Sequence, residues 1–373
     1  MITQEDLQEL LAFNAEGAQV LSLYLDADTS QQTSETIKLQ VRTMLKDSDG
    51  FDADAAGIER YLDFSHDWGI PGLAIFSCAP RDFFRAYPSA ISFRNRLRTG
   101  RRPHLKPLSH LLDYYAYYGV IVIDRVGARF FEYHLGELQK FAGTLGDDVR
   151  KQKLGGGSAR GGGATSATGQ RGGQGGRHEE EVASRNMREA AEAAQKFFAN
   201  RPIRRLFVGG TVENVAQFRE SLSKQLQSRI AGTFAVDTNA GEHEIHELAL
   251  ELLEQANADR EKKVVSTLIT TAAKGGSAVT GLDATLRSLG EGRVQTLVVS
   301  DGLRSSGFYD ENSKFLSVYE TDPTPYGDSE LVAVDDVIEE AVLSTFEQGG
   351  TVEVIRDNPD LENAGQIGAL LRY

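Results

Sequence analysis

The apolar positions of this chain fall into short runs with two different periods. Leu7, Leu10, Leu11 and Phe13 recur at helical spacing, and AQVLSLYLDAD reads as a buried strand ending in polar residues. Helical segments follow around Glu35 to Lys46 and Ala55 to Phe64, then GLAIFSCAP reads as a second buried strand stopped by Pro80. From Asp113 the pattern becomes a strand pair, YYGVIVID and ARFFEYHLG, joined through Arg125, Val126 and Gly127 as a hairpin. A long helix is expected over Glu179 to Ala199, with Glu179, Glu180 and Glu181 at the positive end of its dipole. Strand RRLFVGG, helix ENVAQFRESLSKQL, strand RIAGTFAVD and a helix from about Glu242 to Asp259 come next.

Beyond Asp259, TGLDATLRSLGEG reads as helix then turn and VQTLVVSDG as a buried strand. DDVIEEAVLSTFEQG is an amphipathic helix closed by glycine, TVEVI is a strand, and the chain ends IGALLRY. Strands alternating with helices predict an α/β fold with partly parallel sheets. The changes of pattern divide the chain into 1–112, 113–258 and 259–373, three consecutive α/β domains.

Composition narrows the classes. At 373 residues, 40 % hydrophobic and 25 % charged, this is an ordinary globular composition. One cysteine, Cys78, rules out an intramolecular disulfide and a cysteine-built zinc site, and its apolar neighbours mark it as a buried thiol. No run is apolar for the roughly 20 residues of a membrane span. MITQEDLQELLAF resembles neither a signal nor a transit peptide, so a cytoplasmic location is expected.

The formal charge of -14 argues against general nucleic-acid affinity, and directs attention to where the cations cluster. One cluster is Arg94, Arg96, Arg98, Arg101, Arg102, His104 and Lys106. Arginines at 94, 96 and 98 would share one face of a strand, either as a solvated edge protected by charge or as an RNA-backbone contact. The other cluster lies in LGGGSARGGGATSATGQRGGQGGR, residues 154–177. Between Arg150 and Arg177 stand Arg150, Lys151, Lys153, Arg160, Arg171 and Arg177, with no Asp or Glu. Glycine at nearly every second position keeps such a run conformationally open, so it reads as a cationic finger on an acidic body.

Other motifs carry less. His243 and His246 stand in HExH rather than HExxH spacing with no third ligand nearby, so a solvated helix start explains them and no metal is expected. Gly209-Gly210, between strand and helix, lacks both GxGxxG and a following Lys-Ser/Thr; close backbone packing accounts for it better than a phosphate loop. No Ser-His-Asp or Cys-His grouping can be assembled, and no cofactor motif is present.

The tripeptide Gly172-Gly173-Gln174 remains, flanked by Arg171 and Arg177 before a helix. With it, the chain resembles the archaeo-eukaryotic class-I peptide release factors and their relative Pelota along its whole length. LSLYLDAD matches a first-domain strand, and VIVIDRVGARFFEYHLG matches the hairpin that opens the middle domain. QRGGQGGRHEEEVASRNMREAAEAAQKFF stands where that family carries GRGGQ and an arginine-bearing helix, and GTVEVIRDNPDLENAGQIGALLRY matches the closing strand, turns and ILRY.

The resemblance implies that the loop enters the ribosomal peptidyl transferase centre, with Gln174 catalytic and Gly172 and Gly173 setting its backbone. It implies that Arg150, Lys151, Lys153, Arg160, Arg171 and Arg177 hold rRNA phosphates, with Arg94, Arg96, Arg98, Arg101 and Arg102 as further RNA contacts. The implied partners are the large-subunit rRNA, peptidyl-tRNA and an elongation-factor-type GTPase, with the protein acting as a monomer. Members that read stop codons carry Asn-Ile-Lys-Ser and Tyr-x-Cys; here the region reads SETIKLQVRTMLKDSDG, with neither. The cysteine-rich zinc insertion of some relatives is replaced by SSGFYDENSKFLSVYETDP. Codon-independent peptide release in ribosome rescue is the reading this supports. Non-hydrolytic occupancy in hibernation or stress, and stop-codon-dependent termination, are the alternatives.

Overall fold

The computed structural model describes residues 2–46, 48, 50–145, 174–310, 313–320 and 331–373. It is an α/β structure in two compact units, Met1–Tyr114 together with Ala258–Tyr373, and Tyr115–Asn257. The first and last expected segments thus lie in one unit, each with sheets of its own.

The chain opens with α1 (Gln4–Ala12), capped reciprocally by Thr3 and Asp6. β1 (Val20–Asp26), α2 (Ser34–Lys46), α3 (Asp52–Phe64), β2 (Gly72–Cys78), β3 (Phe83–Ser89), β4 (Arg96–Gly100) and α4 (Lys106–Tyr114) follow. The strands form an antiparallel sheet in the order β3-β2-β1-β4. The period of two sorts its faces: Leu21, Leu23, Leu25, Leu73 and Ile75 pack against Ile37 and Val41 of α2 and Ile58 and Leu62 of α3. On the other face Ser22 and Tyr24 stand opposite Arg98 and Arg96 of the edge strand β4. Cys78 is fully buried at the end of β2, where burial raises its thiol pKa.

The middle unit is built on β5 (Tyr118–Ile123), β6 (Gly127–His134), β7 (Glu137–Leu145), α5 (Gln174–Phe198), β8 (Arg205–Gly209), α6 (Val212–Ser221), α7 (Lys224–Gln227), β9 (Ile230–Phe234) and the first half of α8 (Glu242–Ala273). Its sheet runs β7-β6-β5-β8-β9, antiparallel on the hairpin side and parallel across β5, β8 and β9. Helices α5 and α6 cover one face through Met187, Ala190, Ala194, Phe198 and Phe218; α8 covers the other with Ile245, Ala249 and Leu253. The strand β7 was not foreseen, because ELQKFAGTL is mostly exposed, with only Ala142 and Thr144 half-buried, and its apolar residues show no sustained alternation. The Gly209-Gly210 pair does serve close packing: a Cβ on Gly209 would lie 2.7 Å from Phe234 and Val236, and one on Gly210 2.5 Å from the Ile123 carbonyl.

Two element boundaries differ from the pattern reading. Helix α8 does not close at Asp259 but runs to Ala273, since no glycine or proline interrupts DREKKVVSTLITTAA. Its second half buries Val265 and Leu268 in a separate cluster, and Gly275, with φ +66°, ends it. Helix α5 begins at Gln174, so Glu179, Glu180 and Glu181 stand in its second turn and the first turn holds no acid.

The C-terminal segment adds β10 (Ala278–Thr280), α9 (Leu282–Gly290), β11 (Val294–Ser300), β12 (Gly307–Tyr309), β13 (Leu316–Ser317), β14 (Val332–Val334), α10 (Val337–Glu347), β15 (Thr351–Ile355), α11 (Pro359–Asn363) and β16 (Ile367–Leu371). A mixed sheet β10-β16-β11-β15 and a small antiparallel sheet β13-β12-β14 result. Leu297, Val299, Ile338, Val342 and Ile367 centre the core shared by α9, α10 and the larger sheet.

Candidate functional site at the head of a helix

Helix α5 is positioned by its apolar stripe. Ala183, Met187, Ala190, Ala191, Ala194 and Phe198 recur at three- and four-residue intervals and are buried against the sheet. Asn186, also buried, donates through Nδ2 to the Arg125 carbonyl at 3.0 Å and so ties the helix to the β5–β6 turn. That turn is fixed in its own right, because the Asp124 carboxylate accepts the N–H groups of Val126 and Gly127 at 2.7 Å each. Sequence reading missed Asn186, whose only signal is a polar residue on an apolar stripe.

The head of α5 is Gln174. The first N–H groups of an α-helix have no acceptor within the helix, and they carry the positive end of its dipole. Acids in the first turn would offset that charge, and here there are none: the backbone passes from Gln174 through Arg177 and His178 before reaching Glu179. Gly172 and Gly173 lie outside the described residues, as do Arg150, Lys151, Lys153, Arg160 and Arg171. Arg177 lies in the opening turns of α5. The undescribed stretch links the end of the edge strand β7 to the head of this helix.

The second basic cluster belongs to the other unit, where most of its cations meet carboxylates. Arg96 makes a two-pronged contact with Asp301, with Nη1 to Oδ1 at 3.1 Å and Nη2 to Oδ2 at 3.0 Å. Arg94 is exposed and shares Asp301 at 3.7 Å and Asp357 at 3.6 Å. Arg102 reaches Glu347 at 2.8 Å and the Leu11 carbonyl, while Arg101 lies over the Tyr309 ring at 5.0 Å. Arg98 donates to the Leu97 carbonyl. The alternation is real for Arg96 and Arg98, which share a face of β4, whereas Arg94 precedes the strand.

Buried polar groups surround this junction. His104 Nδ1 lies 2.7 Å from Glu339, which also accepts the Leu105 N–H, and Lys106 Nζ donates to the Leu303 carbonyl at 2.9 Å. Burial pushes the Glu339 carboxyl up, but His104, the Leu105 N–H and Lys106 outweigh it and hold it below the usual range. The acidic partners Asp301, Glu339 and Glu347 were not picked out from sequence, since an Asp closing a buried strand or a Glu on a helix carries no local mark.

The histidines of the HExH stretch do not converge. His243 is exposed beside Glu247 at 3.3 Å, while His246 stacks flat on Tyr133 with ring centres 4.6 Å apart. Among the described residues no three His, Cys, Asp or Glu side chains gather as a metal site, and no helix is long and apolar enough to cross a membrane.

The middle unit is thus a mixed five-stranded sheet covered by a long helix that begins at Gln174. Residues 103–254 match the family model described as bacterial archaeo-eukaryotic release factor family 10. Peptide chain release factor subunit 1 of Thermoplasma acidophilum is 27 % identical over 307 residues, 72 % of this chain and 67 % of that protein. Eukaryotic peptide chain release factor subunit 1-3 of Brassica oleracea is 26 % identical over 299 residues, covering 72 % of this chain and 66 % of its own length. Among solved structures, archaeal translation termination factor aRF1 aligns over 98 % of this chain and 96 % of its own, at 17 % identity and TM-score 0.26. The chain is thus similar to archaeo-eukaryotic release factors, through the family model over residues 103–254 and these two relatives.

Proposed function

We propose that this protein binds the ribosome and promotes hydrolysis of peptidyl-tRNA through Gly172, Gly173 and Gln174, without reading a stop codon. The observation that carries this reading is the position of the tripeptide, which ends on the first residue of α5 inside the stretch matched by the release-factor family model. Water attacks the ester carbonyl that joins peptide to tRNA, the carbonyl oxygen gains negative charge, and the bond to the tRNA ribose oxygen then breaks. The Gln174 N–H, unclaimed within the helix, is suited to that oxygen, and the Gln174 side chain to the attacking water. The two glycines remove the side chains that would hold the backbone away from RNA.

The cations Arg150, Lys151, Lys153, Arg160, Arg171 and Arg177 would neutralise rRNA phosphates, a role compatible with an acidic body because it is local. Arg96 and Arg102 spend their donors on carboxylates within their own unit, so the exposed Arg94 is the better placed of that cluster for RNA. A translational GTPase partner, monomeric action and a cytoplasmic location complete the proposal. The ribosome and the tRNA supply the rest of the reacting site, which accounts for a chain without a triad of its own.

Stalled ribosomes carrying labelled peptidyl-tRNA, mixed with wild type and with Gln174→Ala, test this directly. Release by wild type and its loss in the variant is the expected result. Binding without release by wild type would assign the protein to occupancy of the site instead. Release confined to complexes with a stop codon in the A site would make it a termination factor.

A further inference from the structure

The unit formed by the terminal segments holds a cavity of about 230 Å³ whose charges are not fully used. Its wall is made by the edge strand β4, by the loop carrying Arg304, by β14 and by the first turns of α10. Most charged groups on that wall have partners: Arg304 meets Asp336 at 3.2 Å, His104 meets Glu339 at 2.7 Å, and Arg102 meets Glu347 at 2.8 Å. Two do not. Among the described residues Arg98 makes its one hydrogen bond to the carbonyl of its neighbour Leu97 and joins no ion pair. Glu340 neither accepts a hydrogen bond nor joins an ion pair among the described residues, although it is only partly exposed.

We infer that this cavity is a binding site for a small zwitterion of the α-amino-acid class, its carboxylate on Arg98 and its ammonium on Glu340. The two residues face the same space with opposite charge and do not reach each other, so a ligand that satisfies both must carry both charges. A simple anion would leave Glu340 facing it, and a simple cation would meet Arg98. The guanidinium offers a planar set of donors that matches a carboxylate, and the Glu340 carboxylate accepts what an ammonium donates.

The protonation balance agrees with this assignment. Burial lowers the Arg98 pKa, and the neighbouring Arg304 and Arg96 lower it further, against the pull of Asp336 and Asp301. Burial raises the Glu340 pKa, against the pull of Arg102 and Arg101. In both groups burial outweighs the opposite charges nearby, and a bound zwitterion would give each a direct contact. A volume of about 230 Å³ admits a small amino acid with a few waters, given roughly 30 Å³ per water. The unpartnered Nε2 of His104, buried at the same wall, adds a polar atom there.

The inference is independent of peptide release and is tested without ribosomes. The full chain is titrated calorimetrically with each free proteinogenic L-amino acid, beginning with alanine, and with acetate and methylammonium as single-charge controls. Saturable one-to-one binding of at least one amino acid is expected, about tenfold or more tighter than either control, as one charge-assisted contact is worth. Arg98→Gln and Glu340→Gln should each weaken that binding by about tenfold or more. Neither side chain is in an ion pair, so both variants should keep the wild-type circular dichroism and melting temperature. No saturable binding across the panel overturns the inference. So does acetate binding as tightly as the best amino acid, or binding unchanged in either folded variant.

Discussion

Arg96 of the edge strand β4 forks onto Asp301 at the end of β11, joining residues 205 apart in sequence through two parallel hydrogen bonds of 3.0 and 3.1 Å. Both side chains are largely buried, at 12 % and 9 % exposed. Burial pushes the Asp301 carboxyl up, but Arg96, with help from Arg356 and Lys106, holds it below the usual carboxylate range. The pair thus fastens the N-terminal sheet to the C-terminal segment within one unit.

Arg96→Ala leaves Asp301 buried with the more distant Arg94, Arg356 and Lys106 and without its two-pronged partner, and should destabilise the unit by about 3 kcal/mol. Replacing the pair together, as Arg96→Met with Asp301→Leu, should recover most of that loss, since no charge is then stranded. Urea denaturation of the two single variants and the double variant measures the coupling. A double variant as unstable as the sum of the singles would mean that the residues act separately.

The histidine on α4 makes stability depend on pH. Burial pushes the His110 pKa down to about 3, with the Arg356 charge adding to it. In the unfolded chain the ring takes a proton below about 6.5, and in the fold it does not until about 3. The unfolded state binds more protons over that window, so this group makes stability fall as pH drops from about 6.5 towards 3. His110→Phe should flatten part of the slope, with His66, His134 and His246, all lowered by burial, supplying the remainder. Melting temperatures across this range compare the two proteins.

Gly210 follows β8 with φ +147°, and an added Cβ would sit 2.5 Å from the Ile123 carbonyl oxygen. Gly210→Ala should therefore destabilise the middle unit by about 1–3 kcal/mol. Gly241→Ala, where nothing lies within 4 Å of the added carbon, is the control and should change little. Equal denaturation midpoints for the two variants would remove the packing explanation.

The two parts of Gln174 can be separated. Alanine keeps the backbone N–H and deletes the side chain, whereas proline removes both and is compatible with the first position of a helix. Gln174→Ala should slow peptide release by about ten- to a hundredfold through loss of water positioning. Gln174→Pro should slow it by roughly a further hundredfold if the N–H stabilises the oxyanion. Single-turnover release on stalled ribosomes reads both, and equal rates for the two variants would leave the N–H without a part.

The sequence by itself determined the α/β class, most of the buried strands, the hairpin and the superfamily, because these rest on local periodicity, turn chemistry and short motifs. It also marked Gly209-Gly210 correctly as a packing device. Where local pattern was silent, only the tertiary structure decided. Strand β7 has no apolar face to announce it, and α8 continues past Asp259 because two different cores draw on its two halves. Above all, the arginines at 94, 96 and 98 allowed either a solvated edge or an RNA contact, since a charge in sequence shows its sign and not its partner. Asp301 and Glu347 lie more than 200 residues away, and only folding brings them within hydrogen-bonding distance of Arg96 and Arg102, while Arg98, at the wall of a cavity, joins no ion pair among the described residues.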